Sequence, residues 1–190
     1  MKNSTIPIFL SRPNPFQQKQ RNFLNALIGK IRRRGLNEIT LIAPNYNPYE
    51  SLNCLTEQIR RCYGMIIVAF GQKYIKSGIS KPNIDVQTED YPIIKKELQN
   101  QMITSPYCHI EGTLGVHNKL PILCIREKGV YIEGVLENGK HIIECPELDF
   151  DYLNENCEAY LFNYDFTMQF NYWLKQVKDK FDFVNVSKKN

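Results

Sequence analysis

The sequence predicts an α/β fold, an open parallel sheet with helices on both faces. Three observations carry that expectation. Short apolar runs recur at Ile6–Leu10 (IPIFL), Ile39–Ala43 (ITLIA), Met65–Phe70 (MIIVAF) and Pro121–Ile125 (PILCI). Segments with apolar residues at helical spacing separate them. The third run is apolar throughout, as strands buried on both faces are. Strands alternating with amphipathic helices are the pattern of a parallel sheet, and the usual crossover geometry places the first strand between the second and third.

The first strand breaks at Ser11-Arg12-Pro13-Asn14-Pro15. Asn14 reads as a helix cap and Pro15 as the first helical residue. The helix that follows puts Phe23, Leu24, Leu27, Ile28 and Ile31 on one face and stops near Gly35. After the second strand, Leu52, Leu55, Ile59 and Cys62 mark a second helix. From Gly71 to Thr104 the pattern dissolves into polar residues, with one short helix expected over Ile93–Leu98. A stretch of that length inside a compact domain reads as an insertion or a lid at 72–104. A helix then runs from about Pro106 to Asn118, capped by Ser105 with Pro106 at its first position. Beyond the fourth strand, Val130–Leu136 and Lys140–Cys145 flank Asn138-Gly139, which signals a hairpin. The final helix, about Asp165 to Phe181, aligns Phe166, Phe170, Trp173, Leu174, Val177 and Phe181, a stripe that reads as core or a partner contact. Residues 1–128 form the α/β unit and 129–190 a C-terminal hairpin and helix packed on it.

Composition bounds the function. The chain has 190 residues, 43% of them apolar and 12% aromatic, enough for a sizeable core, and a formal net charge of +4. That modest charge does not nominate a nucleic-acid partner. Arg32-Arg33-Arg34 sits at a helix C-terminus, where cations oppose the negative end of the dipole. No apolar run reaches membrane-spanning length and no signal peptide is evident, so the expectation is a cytoplasmic protein without a membrane partner. The six cysteines include no C-x-x-C pair and read as reduced core thiols. Cys108-His109 is a single adjacent pair, too little for a zinc site, and no metal is expected.

In an open parallel sheet, ligands bind outside the carboxyl ends of the strands, where strand order reverses. Three segments meet there: Ser11-Arg12, Phe70-Gly71-Gln72, and Thr104-Ser105-Pro106-Tyr107. Glu111 lies one to two turns into the helix that starts at Ser105, and its side chain leans back toward the same crevice. It is too far from Ser105 for a capping box. Gly112 and Gly115 weaken that helix by about 1 kcal/mol each, which close approach of a ligand or another element would offset. Gly71 lets backbone approach a ligand closely. Arg12 reads as a phosphate partner or a solvated loop cation, Phe70 and Tyr107 as ring-stacking or rim residues. His109 and His117 read as structural.

In order, IFLSRP, MIIVAFGQKY, then S-P-Y-C-H-I-E and a strand opening L-P-I-L resemble TIR domains, which carry a Ser, an aromatic, often a Cys, and a Glu near a helix start. Nucleoside 2-deoxyribosyltransferases share the flavodoxin-like sheet and an early Glu on the corresponding helix. Over about residues 5–126 the chain looks like a TIR-like member of that N-glycosidase group, of the kind found in bacterial antiphage systems. It departs in having Tyr107 where TIR domains favour Trp, and in its longer insertion. The resemblance implies cleavage of an N-glycosidic bond, typically in NAD, by hydrolysis or cyclisation. NAD is then substrate rather than cofactor, Glu111 the catalytic residue, and Ser11, Arg12, Phe70, Gly71, Ser105 and Tyr107 the pocket. It also implies a homo-oligomer or a partner effector protein. Two alternatives stand beside it: a nucleoside deoxyribosyltransferase-like hydrolase, and a non-catalytic nucleotide-binding or assembly module.

Overall fold

The computed structural model describes residues 5–41, 51–83, 96–131, 133–137, 142–153 and 156–187. Five parallel strands form the sheet: β1 (Ile6–Ser11), β2 (Leu36–Ile39), β3 (Met65–Ala69), β6 (Ile122–Arg126) and β7 (Ile142–Glu144), in the order β2-β1-β3-β6-β7. Two further strands, β4 (Lys73–Ser80) and β5 (Lys96–Ile103), pair antiparallel as a separate ribbon. The arrangement is flavodoxin-like, with β1 between β2 and β3 as expected, so strand order reverses beside β1.

Side-chain parity divides the core in two. Ile8, Leu10, Ile66, Val68, Phe70, Leu123 and Ile125 face one side. There they meet α1 (Gln18–Arg33), α5 (Cys157–Phe162) and α6 (Tyr164–Ser187). Phe9, Met65, Ile67, Ala69, Ile122 and Cys124 face the other side. Their partners are α2 (Ser51–Arg60) and α3 (Pro106–His117). A short helix, α4 (Phe150–Leu153), adds Phe150 to the first side. The aromatic stripe of α6 is core: Phe166, Phe170, Trp173 and Val177 are fully buried. All six cysteines are unpaired, and Cys62, Cys108, Cys124, Cys145 and Cys157 are buried. Among the described residues no helix is long and apolar enough to cross a membrane.

Several boundaries differ from the sequence reading, each for a physical reason. The first helix begins at Gln18, not at Pro15. Asn14 precedes a proline, which disfavours helical backbone at that position, and the helix start is held instead by Gln20, whose Oε1 accepts from Phe16 N–H at 3.2 Å and Gln17 N–H at 3.4 Å. The second strand starts at Leu36, immediately after Gly35 turns the chain at φ +76°. It pairs Ile6 with Leu36 through Phe9 with Ile39; residues 42–43 of the expected strand lie outside the described residues. Leu52, placed on the apolar face of α2, is 58% exposed.

The expected helix at Ile93–Leu98 is not one over 96–98, where β5 begins; Ile93 and its neighbours to 95 are outside the described residues. The stretch 72–104 therefore carries a β-ribbon rather than dissolved structure. Among the described residues the expected strands after β6 do not pair as a hairpin. Gly134–Leu136 is a 3₁₀ turn, and Ile142–Glu144 joins the sheet parallel to β6, from Ile122 opposite Ile142 to Cys124 opposite Glu144. Two adjacent isoleucines can extend a sheet edge, and a parallel neighbour needs a crossover rather than a tight turn. Asn138-Gly139 lies outside the described residues.

Candidate functional site

The carboxyl ends of β1 and β3 and the start of α3 enclose a crevice of about 380 Å³, lined by Arg12, Pro13, Asn14, Leu41, Gln72, Ser105, Tyr107 and Glu111. Each side chain arrives there for a local reason. Ser105 caps α3, its Oγ accepting from Tyr107 N–H at 3.3 Å, with Pro106 next. That fixes the first turn, so Cys108, Glu111, Gly112 and Gly115 fall on the buried face. Both glycines let α3 lie close to the sheet. A Cβ on Gly112 would stand 3.0 Å from Ile67 Cδ1, and one on Gly115 would stand 2.8 Å from Met65 Sδ. Close packing against the sheet, not a ligand, accounts for these helix-weakening residues.

Glu111 is 8% exposed. Burial pushes its carboxyl up to about 7, against the opposing pull of Ser11 and of the Arg12 charge. Desolvation also lowers the Arg12 guanidinium, and the nearby Glu111 charge partly restores it. Arg12 Nη1 makes two long contacts, 3.4 Å to Pro13 O and 3.4 Å to Asn14 Oδ1. Its buried Nε has no hydrogen-bond partner. A half-buried cation with an unsatisfied donor, beside a buried carboxyl near neutrality, is a strained pair. Such pairs concentrate at functional sites.

Of the residues expected in the pocket, Arg12, Ser105, Tyr107 and Glu111 come together on the crevice wall. Ser11 lies beneath it, fully buried. Phe70 and Gly71 do not line it. Phe70 follows Ala69 and so points to the opposite face, where its ring centroid stands 6.2 Å from those of Phe23 and Phe150. Gly71 N–H donates to Glu127 Oε2 at 3.0 Å, and Gln20 Nε2 donates to the same oxygen at 3.1 Å. A Cβ on Gly71 would stand 2.5 Å from Met102 Sδ, so this glycine admits the root of the ribbon rather than a ligand. His117 sits at the far end of α3, in a different pocket with Lys119 and Lys180.

Sequence reasoning did not single out Asn14 or Leu41 as site residues. Asn14 follows the end of the first strand and could have been found by that rule; Leu41 was hidden inside the strand expected over Ile39–Ala43, and only the earlier end of β2 at Ile39 puts it past the sheet. Among the described residues no cluster of three or more His, Cys, Asp or Glu side chains could hold a metal ion.

No family model and no curated protein sequence matches the chain. Among solved structures it is similar to the CMP N-glycosidase BcmB of Clostridium botulinum, at 12% identity and a TM-score of 0.46, over 83% of this chain and 99% of that one.

Proposed function

We propose that the crevice cleaves the N-glycosidic bond of a nucleotide, with NAD as the substrate and Glu111 as the catalytic carboxylate, in the manner of a TIR-like enzyme. The observation that carries this reading is the placement of Glu111: a buried carboxylate, one to two turns into α3, opening on the switch-point crevice beside Arg12. Cleavage at C1′ of a ribose passes through an oxocarbenium-like centre. A carboxylate held in a water-poor site stabilises that charge far better than it would in water. Nicotinamide departs from a cationic pyridinium as a neutral molecule, so no proton donor is needed. Glu111 is the one carboxyl among the described residues lining the crevice, which suits a leaving group of that kind. Arg12 offers its guanidinium to a phosphate, and Tyr107, 56% exposed at the rim, offers a ring. In hydrolysis a water oxygen bonds to C1′ as the C1′–N bond breaks; its proton goes to solvent and nicotinamide leaves with the bonding pair. In cyclisation an atom of the adenine ring takes the place of water.

The nucleoside deoxyribosyltransferase-like reading is favoured by one observation. With its carboxyl near 7, Glu111 is about half protonated at neutral pH and can hand a proton to a purine or pyrimidine leaving group. Assembly with further copies or with an effector protein, and a role in antiphage defence, belong to the TIR-like reading.

The test is to incubate the full chain separately with NAD, nucleosides and nucleoside 5′-monophosphates and to follow free base by chromatography. Nicotinamide release that disappears with Glu111→Gln is the expected result. Base release from nucleosides or monophosphates alone selects the second reading. No release from any of them at high protein concentration, with nucleotide still bound, makes the protein a binding module.

Because the ionised carboxylate acts on the ribose in the NAD reading, kcat should fall about tenfold per pH unit below 7 and level off above it. A pH–rate profile flat from 5 to 8 would contradict that role for Glu111.

A further inference from the structure

Phe166, Phe170, Trp173 and Val177 turn one side of α6 into the core, which fixes what the opposite side shows to solvent. At about 100° per residue that opposite side runs through Asp165, Met168, Tyr172 and Lys175, at steps of three, four and three. All four are exposed. Met168 is 49% and Tyr172 58% exposed, and Tyr164 at the edge of the seam is 78% exposed. Single apolar residues on a surface are ordinary. An apolar seam along one helix, bracketed by opposite charges, is a different feature. Among the described residues the Asp165 carboxylate and the Lys175 ammonium have no ion pair within the chain.

The order of these residues has a second property. Met168 lies three positions after Asp165, and Tyr172 three positions before Lys175. Turning the helix end for end therefore exchanges Asp165 with Lys175 and Met168 with Tyr172. Two copies related by a two-fold axis meet in that way, since an isologous interface brings residue i to residue j and residue j to residue i. We propose that this face of α6 is a self-association surface, on which α6 of a second copy lies antiparallel, Met168 against the partner's Tyr172 and Asp165 against the partner's Lys175. Each contact then occurs twice, two ion pairs flanking two thioether–aromatic contacts. The charges stand about 15 Å apart along the helix axis, which leaves room for the apolar residues between them. Charge also sets the register. Sliding the partner by one heptad would put Asp165 against the partner's Asp182 and Met168 against the partner's Asp179, a like-charge pair and a charge on an apolar group.

A second copy fits this face better than an unrelated partner, because complementarity under reversal is a requirement only of a two-fold contact. α6 covers the sheet face opposite α3, so pairing through it leaves the crevice of each copy open. The inference does not rest on any reading of Glu111. One helix face buries less than the roughly 800 Å² per partner of a standard stable interface, so pairing is expected in the micromolar range.

Sedimentation equilibrium on the full chain, from micromolar to several hundred micromolar, reads the 22.3 kDa monomer against its dimer. The expected result is a reversible monomer–dimer equilibrium. Asp165→Lys leaves two cations on the seam and Lys175→Asp leaves two anions, so each alone should weaken pairing about tenfold or more. Mixed together, the two variants should pair with each other, because every charged contact between them is again of opposite sign. Both sites are exposed, so thermal melts at low concentration should match wild type and separate lost pairing from lost folding. A wild type that is monomeric throughout overturns the proposal. So does a dimer that either single variant leaves intact, or a pair of variants that fails to associate when mixed. A monomer that sediments with phosphatidylserine vesicles would assign the face to a lipid surface and overturn it as well.

Discussion

Glu111→Gln should lower turnover by about 10²-fold or more while making the protein more stable at neutral and alkaline pH. The first half follows from removing one preorganised charge that acts on the transition state. Gln keeps the volume and a hydrogen-bonding oxygen, so substrate should still enter and KM should change less than kcat. The second half follows from linkage. The folded carboxyl is raised from 4.5 to about 7, mainly by burial. Folding therefore favours the protonated form. The stability associated with that proton is fully present below about pH 4.5 and is lost as pH rises through about 7. A shift of this size corresponds to roughly 3 kcal/mol, which ionised Glu111 costs the fold above pH 7. The neutral amide does not incur it. Wild type and Glu111→Gln should melt together near pH 4, diverge between pH 4.5 and 7, and stay apart above that by roughly 6 to 12 °C. Thermal melts across pH, beside nicotinamide release at pH 8, check both halves. A variant that is inactive but less stable than wild type at pH 8 would mean that Glu111 holds the fold together. Equal turnover would remove it from the chemistry.

The legible parts of this chain are those where burial dictates residue type. Ile6–Leu10, Met65–Phe70 and Pro121–Ile125 stand out because their strands are covered on both faces, and the α6 stripe stands out because Phe166, Phe170 and Trp173 fill one side of the sheet. Edge and outlying strands carry no such mark. In β2, Leu36 is buried, but Asn37 is exposed and Glu38 pairs with Arg32 across the end of α1. The ribbon strands KYIKSGIS and KELQNQMI are held by their own ladder and by side-chain bonds such as Tyr74 Oη to Asn100 Oδ1 at 2.7 Å. Its Gln72 and Met102 backbones are tied down at the root, and little of the remainder meets the core.

The site was legible to the same extent and for the same reason. Placing Glu111, Arg12, Ser105 and Tyr107 together needed only strand ends and a capped helix. Separating Ser11 from Phe70 needed parity: Ser11 shares a face with Phe9, whereas Phe70 shares one with Val68. Period-two counting from the strand centres contains that distinction, and applied to Phe70 it predicts core rather than pocket. The rise of the Glu111 carboxyl was not legible, because it depends on how completely α3 and the β1 turn exclude water.

Trp173→Ala should destabilise the whole molecule by about 3 to 5 kcal/mol, the usual cost of emptying a fully buried aromatic site. In a chain of this size that lowers the melting temperature by roughly 6 to 20 °C. Trp173 is 0% exposed, its ring centroid lies 5.5 Å from that of Phe170, and its Nε1–H donates to Pro121 O at 3.0 Å, just ahead of β6. Its neighbourhood admits no added atom either: a Cβ on Gly64 would stand 2.4 Å from Val177 Cγ2 and 3.2 Å from Trp173 Cζ2. Gly64→Ala should therefore act in the same direction, by about 1 to 3 kcal/mol. Both changes lie at the amino ends of β3 and β6, across the sheet from the crevice, so below the melting transition the Glu111 titration should match wild type. The informative observation is cooperativity. α6 shares its core with β1, β3 and β6, so circular dichroism and tryptophan-independent probes of the sheet should report one transition, shifted as a unit. If α6 instead melts early while the sheet's transition stays where it was in wild type, the C-terminal segment is a separable appendage, and residues 129–190 could be removed without unfolding the parallel sheet.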